Sequence, residues 1–308
     1  MDWHIKRENL GTSDVTKTLK AVINGAVDVF LFAQQELRPT PAKSHYLFNL
    51  RDLSRVIQGI QMLKKEQLSD PKKVLRGWVH EIGRVFGDRM INDEDQNALY
   101  QRMFPACRDK VREDLGAAFK NVFEERFFKS EGKEIMMKHI MFGDVIGDGI
   151  STYDRNYDEI IQGKKKVLTD RMLAYLEDFN SVSKKPMNLV LFDFAIMHVL
   201  RICRILRMAR GNAFLVGVGG SGRDSFAKLA TFICDFDLVE IEQSKNYNQE
   251  QWKEDMKRLM ILAGQECKNS VFIMTDMQLK FGFMLEDINN LLNSGEIPNL
   301  FPAEEKLQ

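Results

Sequence analysis

The chain has 308 residues, 44% of them hydrophobic and 29% charged, a globular composition with room for one large domain or two ordinary ones. Its 44 basic and 44 acidic residues cancel, so the charge selects neither nucleic acid nor an anionic membrane as the main partner. Cys107, Cys203, Cys234 and Cys267 show no C-x-x-C spacing, which suits a reducing compartment and argues against a disulfide or zinc framework.

Residues 1 to about 127 read as helical. The opening residues carry no apolar signal-peptide core, and no window reaches the roughly 18 charge-poor apolar residues of a membrane span. The expectation is a soluble cytoplasmic or cytoskeletal protein. Thr12, Ser13 or Asp14 caps a first helix running to about Leu37, with Val15, Leu19, Val22, Ile23, Ala26, Val27 and Phe30 at a 3.6-residue period. Pro39 and Pro41 stop it. Asn49 caps a second helix, "LRDLSRVIQGIQML". Ser69 or Asp70 caps a third, with Pro71 in its first turn. Its apolar face runs from Val74 and Leu75 through Trp78, Val79, Ile82, Val85 and Phe86 to Met90. A fourth follows Asn92, with acids in the first turn where the helix dipole favours them.

Residues 128–187 are less regular and hold a module boundary. "MFGDVIGDG" is turn-like, "DRNYDEIIQGKKKVLTDRMLAYLEDFNS" returns to helical spacing, and Pro186 closes it. From Asn188, "NLVLFDFAIMHVLRICRILRMARG" reads as one amphipathic helix. Three β-type runs then alternate with helices: "NAFLVGV", "DLVEIE" and "NSVFIMTD". That alternation means a parallel sheet of βαβ units.

The loop after the first run is Gly217, Val218, Gly219, Gly220, Ser221, Gly222, Arg223, Asp224, Ser225. It has the glycines of a phosphate-binding G-x-x-x-x-G-K-[ST] loop in the strand–loop–helix setting that motif needs. Backbone N–H groups of such a loop cradle phosphate oxygens, helped by the following helix N-terminus. Arginine stands for the lysine at Arg223, keeping the charge in a larger, planar form. Asp224 replaces the hydroxyl that ligates magnesium; a carboxylate binds magnesium, yet repels phosphate without it. Ser225 points about 100° further round the helix. Two plainer readings stay open: a loop that keeps only its shape, and Asp224 with Ser225 as helix caps.

"VFIMTDM" is an apolar strand ending in Asp276, the pattern whose aspartate helps hold magnesium. Met277 stands where many ATPases place a water-orienting glutamate, and the alternative is an ordinary end-of-strand aspartate. Arg51 and Arg55 share one helix face and reach either a phosphate or a partner such as Asp52 or Glu66. Arg201, Arg204, Arg207 and Arg210 read as a solvated helix face or one turned to another module. The five histidines form no metal constellation.

Four stretches in this order, residues 38–60, 74–96, 211–230 and "FIMTD" (272–276) followed by 283–301, resemble the motor ring of dynein heavy chains of the axonemal type. In that family the fourth AAA+ module carries a glycine loop with arginine in place of lysine. The resemblance implies an α-helical lid subdomain followed by an incomplete α/β P-loop (AAA+) domain with a parallel sheet. It places the lid of a third module at 1–127, an inter-module helical connection at 128–187, and the fourth module's core at 188–308, ending after its third strand. Arg51 then falls at the third module's sensor-2 position, Gly217–Ser225 are the Walker A loop, and Asp276 is the Walker B aspartate. The family usually has glutamine at the position of Asp224, so the aspartate puts metal binding in question. AAA+ sheets have strand order 5-1-4-3-2. A chain without strand 4 leaves strands 1 and 3 with unpaired inner edges, an aggregation hazard, and is expected to be poorly stable alone.

The function implied is that of a ring segment of an ATP-driven, minus-end-directed microtubule motor of cilia and flagella. The segment binds ATP or ADP at a regulatory, non-hydrolysing site, with Asp276 and Asp224 as the candidate ligands of Mg2+. Its implied partners are the neighbouring AAA+ modules and dynein complex subunits, with the microtubule reached only through a stalk outside this sequence. The alternatives are a nucleotide-free structural ring segment, a non-functional fragment, and a stand-alone P-loop enzyme such as a kinase, against which Met277, Asp224 and the missing strand all count.

Overall fold

The computed structural model describes residues 13–68, 70–107, 140–146, 155–160, 165–242, 247–302 and 305. The chain divides into two compact units, Met1–Met172 and Leu173–Gln308. Ser69, which the sequence offered as a helix cap, lies outside the described residues, as do Thr12 and all of 108–139.

The first unit is a helical bundle. Its helices are α1 (Ser13–Glu36), α2 (Leu50–Ile60), the single turn α3 (Lys65–Leu68), α4 (Pro71–Val85) and α5 (Asp93–Ala106). Short polar side chains set the starts. Asn49 and Asp52 form a reciprocal capping box on α2, and the Asp70 side chain accepts from Lys72 N with Pro71 in the first turn of α4. α4 is the centre of the unit. α1, α2 and α3 pack on it, and Val74, Trp78, Val79 and Ile82 are fully buried. Each such side chain contributes about 1.5–3 kcal/mol of apolar burial.

The connecting stretch departs from the helical reading. "MFGDVIGDG" and "DRNYDEII" contribute a two-stranded antiparallel pair, β1 (Phe142–Gly143) with β2 (Asp158–Glu159), in which Phe142 faces Glu159. Lys165–Val182 then form α6. Ile140, Phe142 and Tyr157 are buried in the first unit's core. Over residues 155–160 the period-3.6 pattern is overridden by this packing. Arg76 of α4 grips Glu159 with two parallel hydrogen bonds of 2.7 and 2.8 Å, and Lys73 pairs with Asp158.

In the second unit, the helix read from Asn188 begins later, as α7 (Asp193–Arg207), preceded by an extended Phe192. Asp193 takes the first helical position, where the dipole favours a carboxylate. The arginine stripe is not a solvated face: Arg204 is buried, Arg201 and Arg207 are half-buried, and only Arg210, beyond the helix, is exposed. α7 packs on α8 (Arg223–Ile233). Then follow β3 (Asp237–Glu240), α9 (Gln249–Gly264), β4 (Ser270–Ile273) and α10 (Gly282–Ser294). β3 and β4 pair in parallel, Leu238 opposite Val271 and Val239 opposite Phe272. Trp252 and Met256 of α9 and Met284 of α10 close a core beside them, and Trp252 Nε1 donates to Asp287 at 2.8 Å.

The first β-type run does not form a strand. Residues 213–218 join neither of the two sheets. Backbone becomes a strand only by exchanging hydrogen bonds with a neighbour, and no described residue supplies one. Its apolar side chains face outward, with Phe214 at 92% and Val218 at 83% exposed. The pairing of the second and third runs agrees with the order 5-1-4-3-2.

Candidate functional site

The glycine loop is built by its own dihedrals. Gly220 and Gly222 sit at φ of +78° and +79°, a region where a Cβ is strained. Ser221 N donates to Val218 O, and Gly222 starts α8 with no side-chain cap. Asp224 and Ser225 therefore do not cap the helix. The N–H groups of Gly219, Gly220, Gly222, Arg223, Asp224 and Ser225 are not spent on any protein acceptor among the described residues. A Cβ placed on Gly219 or Gly220 meets nothing within 4 Å. The loop thus presents a run of unspent donors around open space at a helix N-terminus, which is the donor set an oxyanion of a phosphate requires.

Arg223 folds back over this loop. Its guanidinium donates to Leu215 O at 3.4 Å and Val218 O at 3.3 Å, and its Cδ lies 3.5 Å from where a Gly217 Cβ would stand. It supplies carbonyls of the unpaired run with donors. To reach a phosphate it must release them.

Asp224 is engaged elsewhere. Its carboxylate pairs with Lys228 one turn along α8 at 2.9 Å, and the same ammonium reaches Glu240, the last residue of β3, at 2.8 Å. Burial works against the Lys228 charge, but the hydrogen bonds to Glu240 and Asp224 outweigh it and raise its pKa. Neither Lys228 nor Glu240 was singled out from sequence. The spacing of Asp224 and Lys228, four apart on one helix, carried the signal.

Asp276 opens a short 3-10 turn, Asp276–Gln278, directly after β4. Gln278 accepts from Thr275 N at 2.8 Å and donates to Ile241 O at 2.9 Å. This ties the end of β4 to the residue after β3. Asp276 and Asp224 therefore both flank the carboxyl end of β3, the side of a parallel sheet where ligands bind. Asp276 is exposed, and Met277 beside it is 84% exposed. Among the described residues, no group of three or more His, Cys, Asp or Glu is placed to hold a metal ion. The donor set fits phosphate. With Asp224 held by Lys228 it does not fit Mg2+.

Arg51 lies in the other unit, exposed on the first turn of α2, its N–H donating to Asn49 Oδ1. Asp52, offered as its partner, is buried and bonds Arg89 instead. No described helix is long and apolar enough to cross a membrane. None of the described cysteines is joined in a disulfide.

A glycine loop opening a helix, a parallel strand pair whose second strand leads into Asp276, and a separate helical unit together define a P-loop domain of the AAA+ class with a lid. The comparisons with known proteins are specific. The family described as "P-loop containing dynein motor region D4" matches residues 187–308, and the "AAA+ lid domain" family matches residues 23–122. Dynein axonemal heavy chain 3 of Mus musculus is 42% identical over 291 residues, covering 93% of this chain. Dynein axonemal heavy chain 6 of Homo sapiens is 40% identical over 293 residues, covering 94%. The Dynein-1-beta heavy chain, flagellar inner arm I1 complex, of Chlamydomonas reinhardtii is 40% identical over 294 residues, covering 95%. The chain belongs to the dynein heavy chain family, with relatives of the axonemal type. It spans 6–7% of the length of these relatives.

Proposed function

We propose that the chain is a ring segment of an axonemal dynein heavy chain, running from the lid of a third AAA+ module (1–127) through an inter-module connection (128–187) into the core of a fourth (188–308). In this reading the whole protein is an ATP-driven microtubule motor of the cilium or flagellum, and the segment's partners are the neighbouring modules of its own ring. The loop Gly217–Ser225 binds ATP or ADP at a regulatory site, and Arg51 serves the preceding module's nucleotide. The axonemal names of the relatives support the setting.

One observation carries the nucleotide reading. Six backbone N–H groups between Gly219 and Ser225 have no protein acceptor among the described residues, around two glycines with positive φ. Arg223 provides the positive charge within reach of the same loop. Met277 has no oxygen to orient an attacking water, which supports binding without hydrolysis.

The test is equilibrium binding of a fluorescent ATP analogue and of ADP, with turnover followed in parallel. Saturable binding that Arg223→Ala weakens by about tenfold or more, with no ATP turnover, is the expected result. No binding up to about 1 mM nucleotide returns the segment to a purely structural role. Turnover by the chain refutes the non-hydrolysing assignment.

A further inference from the structure

We propose that Lys228 is the built-in cation of this phosphate loop, and that nucleotide therefore binds here without magnesium. The inference rests on the nucleotide reading above and goes beyond it by assigning a residue and a metal requirement.

A hydroxyl-type P-loop places a magnesium ion beside the first turn of the helix to balance phosphate charge. Here that turn carries a carboxylate, Asp224, whose charge opposes a phosphate unless something balances it. The balancing charge is already present. The Lys228 ammonium lies 2.9 Å from Asp224 and 2.8 Å from Glu240. It sits between two carboxylates on different elements, as a coordinated cation does. The arrangement is more than a surface ion pair. The Lys228 side chain is only 20% exposed, whereas Asp224 and Glu240 are 46% and 37% exposed. The charge is pinned from both sides, so the lysine loses little freedom that it has not already lost. Its raised pKa keeps it charged across the physiological range.

Two consequences follow from the geometry. A divalent ion seeking Asp224 meets an ammonium in the position it needs. Asp224, held by Lys228, no longer repels an incoming phosphate at full strength, while Arg223 and the loop N–H groups remain to bind it. Removing the ammonium reverses both. It leaves two carboxylate oxygens within 3 Å of one vacated point, which a hard cation can take.

The experiment uses the 308-residue chain and two probes. Manganese alone, followed by the electron paramagnetic signal of the free ion, tests the cation position without any nucleotide. Lys228→Met is expected to gain one Mn2+ site about tenfold tighter than any in the parent chain. Adding Asp224→Asn should abolish the gain, and Lys228→Arg should not show it. Far-ultraviolet circular dichroism checks that each variant is folded. ATP binding in EDTA and in Mg2+ is the second arm, and the parent chain is expected to bind equally within about threefold.

A parent chain that already binds Mn2+ through Asp224 overturns the proposal. So does a Lys228→Met variant that gains no site, or ATP affinity that rises about tenfold with Mg2+. A chain that binds no ATP refutes the nucleotide reading instead, and the manganese arm still decides what Lys228 does.

Discussion

Glu159→Ala is expected to destabilise the first unit by about 3–5 kcal/mol, the usual consequence of removing one partner of a buried ion pair. Arg76 and Glu159 bond through two nitrogens and two oxygens, with side chains only 10% and 4% exposed. Truncation leaves a guanidinium in the core with its principal acceptor gone. The strand pair β1–β2 has two residues a side, so its own ladder cannot hold it. It stays in place through Arg76, through His80 Nδ1 bonded to Ile140 O at 3.0 Å, and through Phe142 and Tyr157 in the core. Urea unfolding followed by tryptophan fluorescence reads the effect, with Trp78 reporting the first unit and Trp252 the second. The Trp252 transition should not move. The companion Arg76→Met/Glu159→Leu is expected to recover most of the loss, because an apolar pair of similar volume leaves no buried charge. A loss below about 1 kcal/mol for Glu159→Ala would mean the pair is effectively solvated, and the pinning argument would fail.

The contrast between what the sequence disclosed and what it concealed has a physical pattern. Features held by local chemistry were legible. Asn49, Asp70 and Asn92 cap where short polar side chains before apolar periodicity should cap. The face Val74–Trp78–Ile82 is buried as its spacing requires. The glycine loop opens α8 as the motif demands. Features decided by a distant partner were not legible. Residues 213–218 have the composition of a strand, but a strand is a relation between two segments and no described segment pairs with this one in a sheet. Residues 155–160 carry a helical spacing that the pull of Arg76 on Glu159, 83 residues away in sequence, overrides. The arginine stripe on α7 resembled a wet face because spacing reveals a face but not what covers it. At the loop, Arg223 and Asp224 were recognisable as departures from the motif. Their present engagements, with the carbonyls of Leu215 and Val218 and with Lys228, depend on the fold.

Gly59→Ala is expected to destabilise the first unit by about 2–4 kcal/mol, combining overpacking with the disturbance of a buried hydrogen-bonded carboxylate. Helix propensity alone argues the opposite, since alanine for glycine inside a helix favours folding by about 1 kcal/mol. The neighbour decides the sign. A Cβ on Gly59 would stand 1.7 Å from Glu81 Oε2 and 2.2 Å from its Cδ. That carboxylate has little room to move, because Glu81 is 1% exposed and accepts a hydrogen bond from the Tyr157 hydroxyl at 2.9 Å. Glycine is thus what lets α2 lie against the carboxylate of α4, while Tyr157 holds the same group from the connecting stretch. Three segments meet at one side chain. Pushing it aside costs the Tyr157 bond and shifts α2, whose first turn carries Arg51. If the coupling is real, Gly59→Ala/Glu81→Ala will fall short of the sum of its single losses by about 1 kcal/mol or more in urea unfolding. An additive double variant, or a Gly59→Ala chain as stable as its parent, would show that Glu81 swings clear freely. The lid helix and the connecting stretch would then not be locked through this carboxylate. With the lock intact, displacement of α2 at its Arg51 end is felt at Tyr157 through two contacts, which makes this the place to look for mechanical coupling between the lid and the chain that leads out of it.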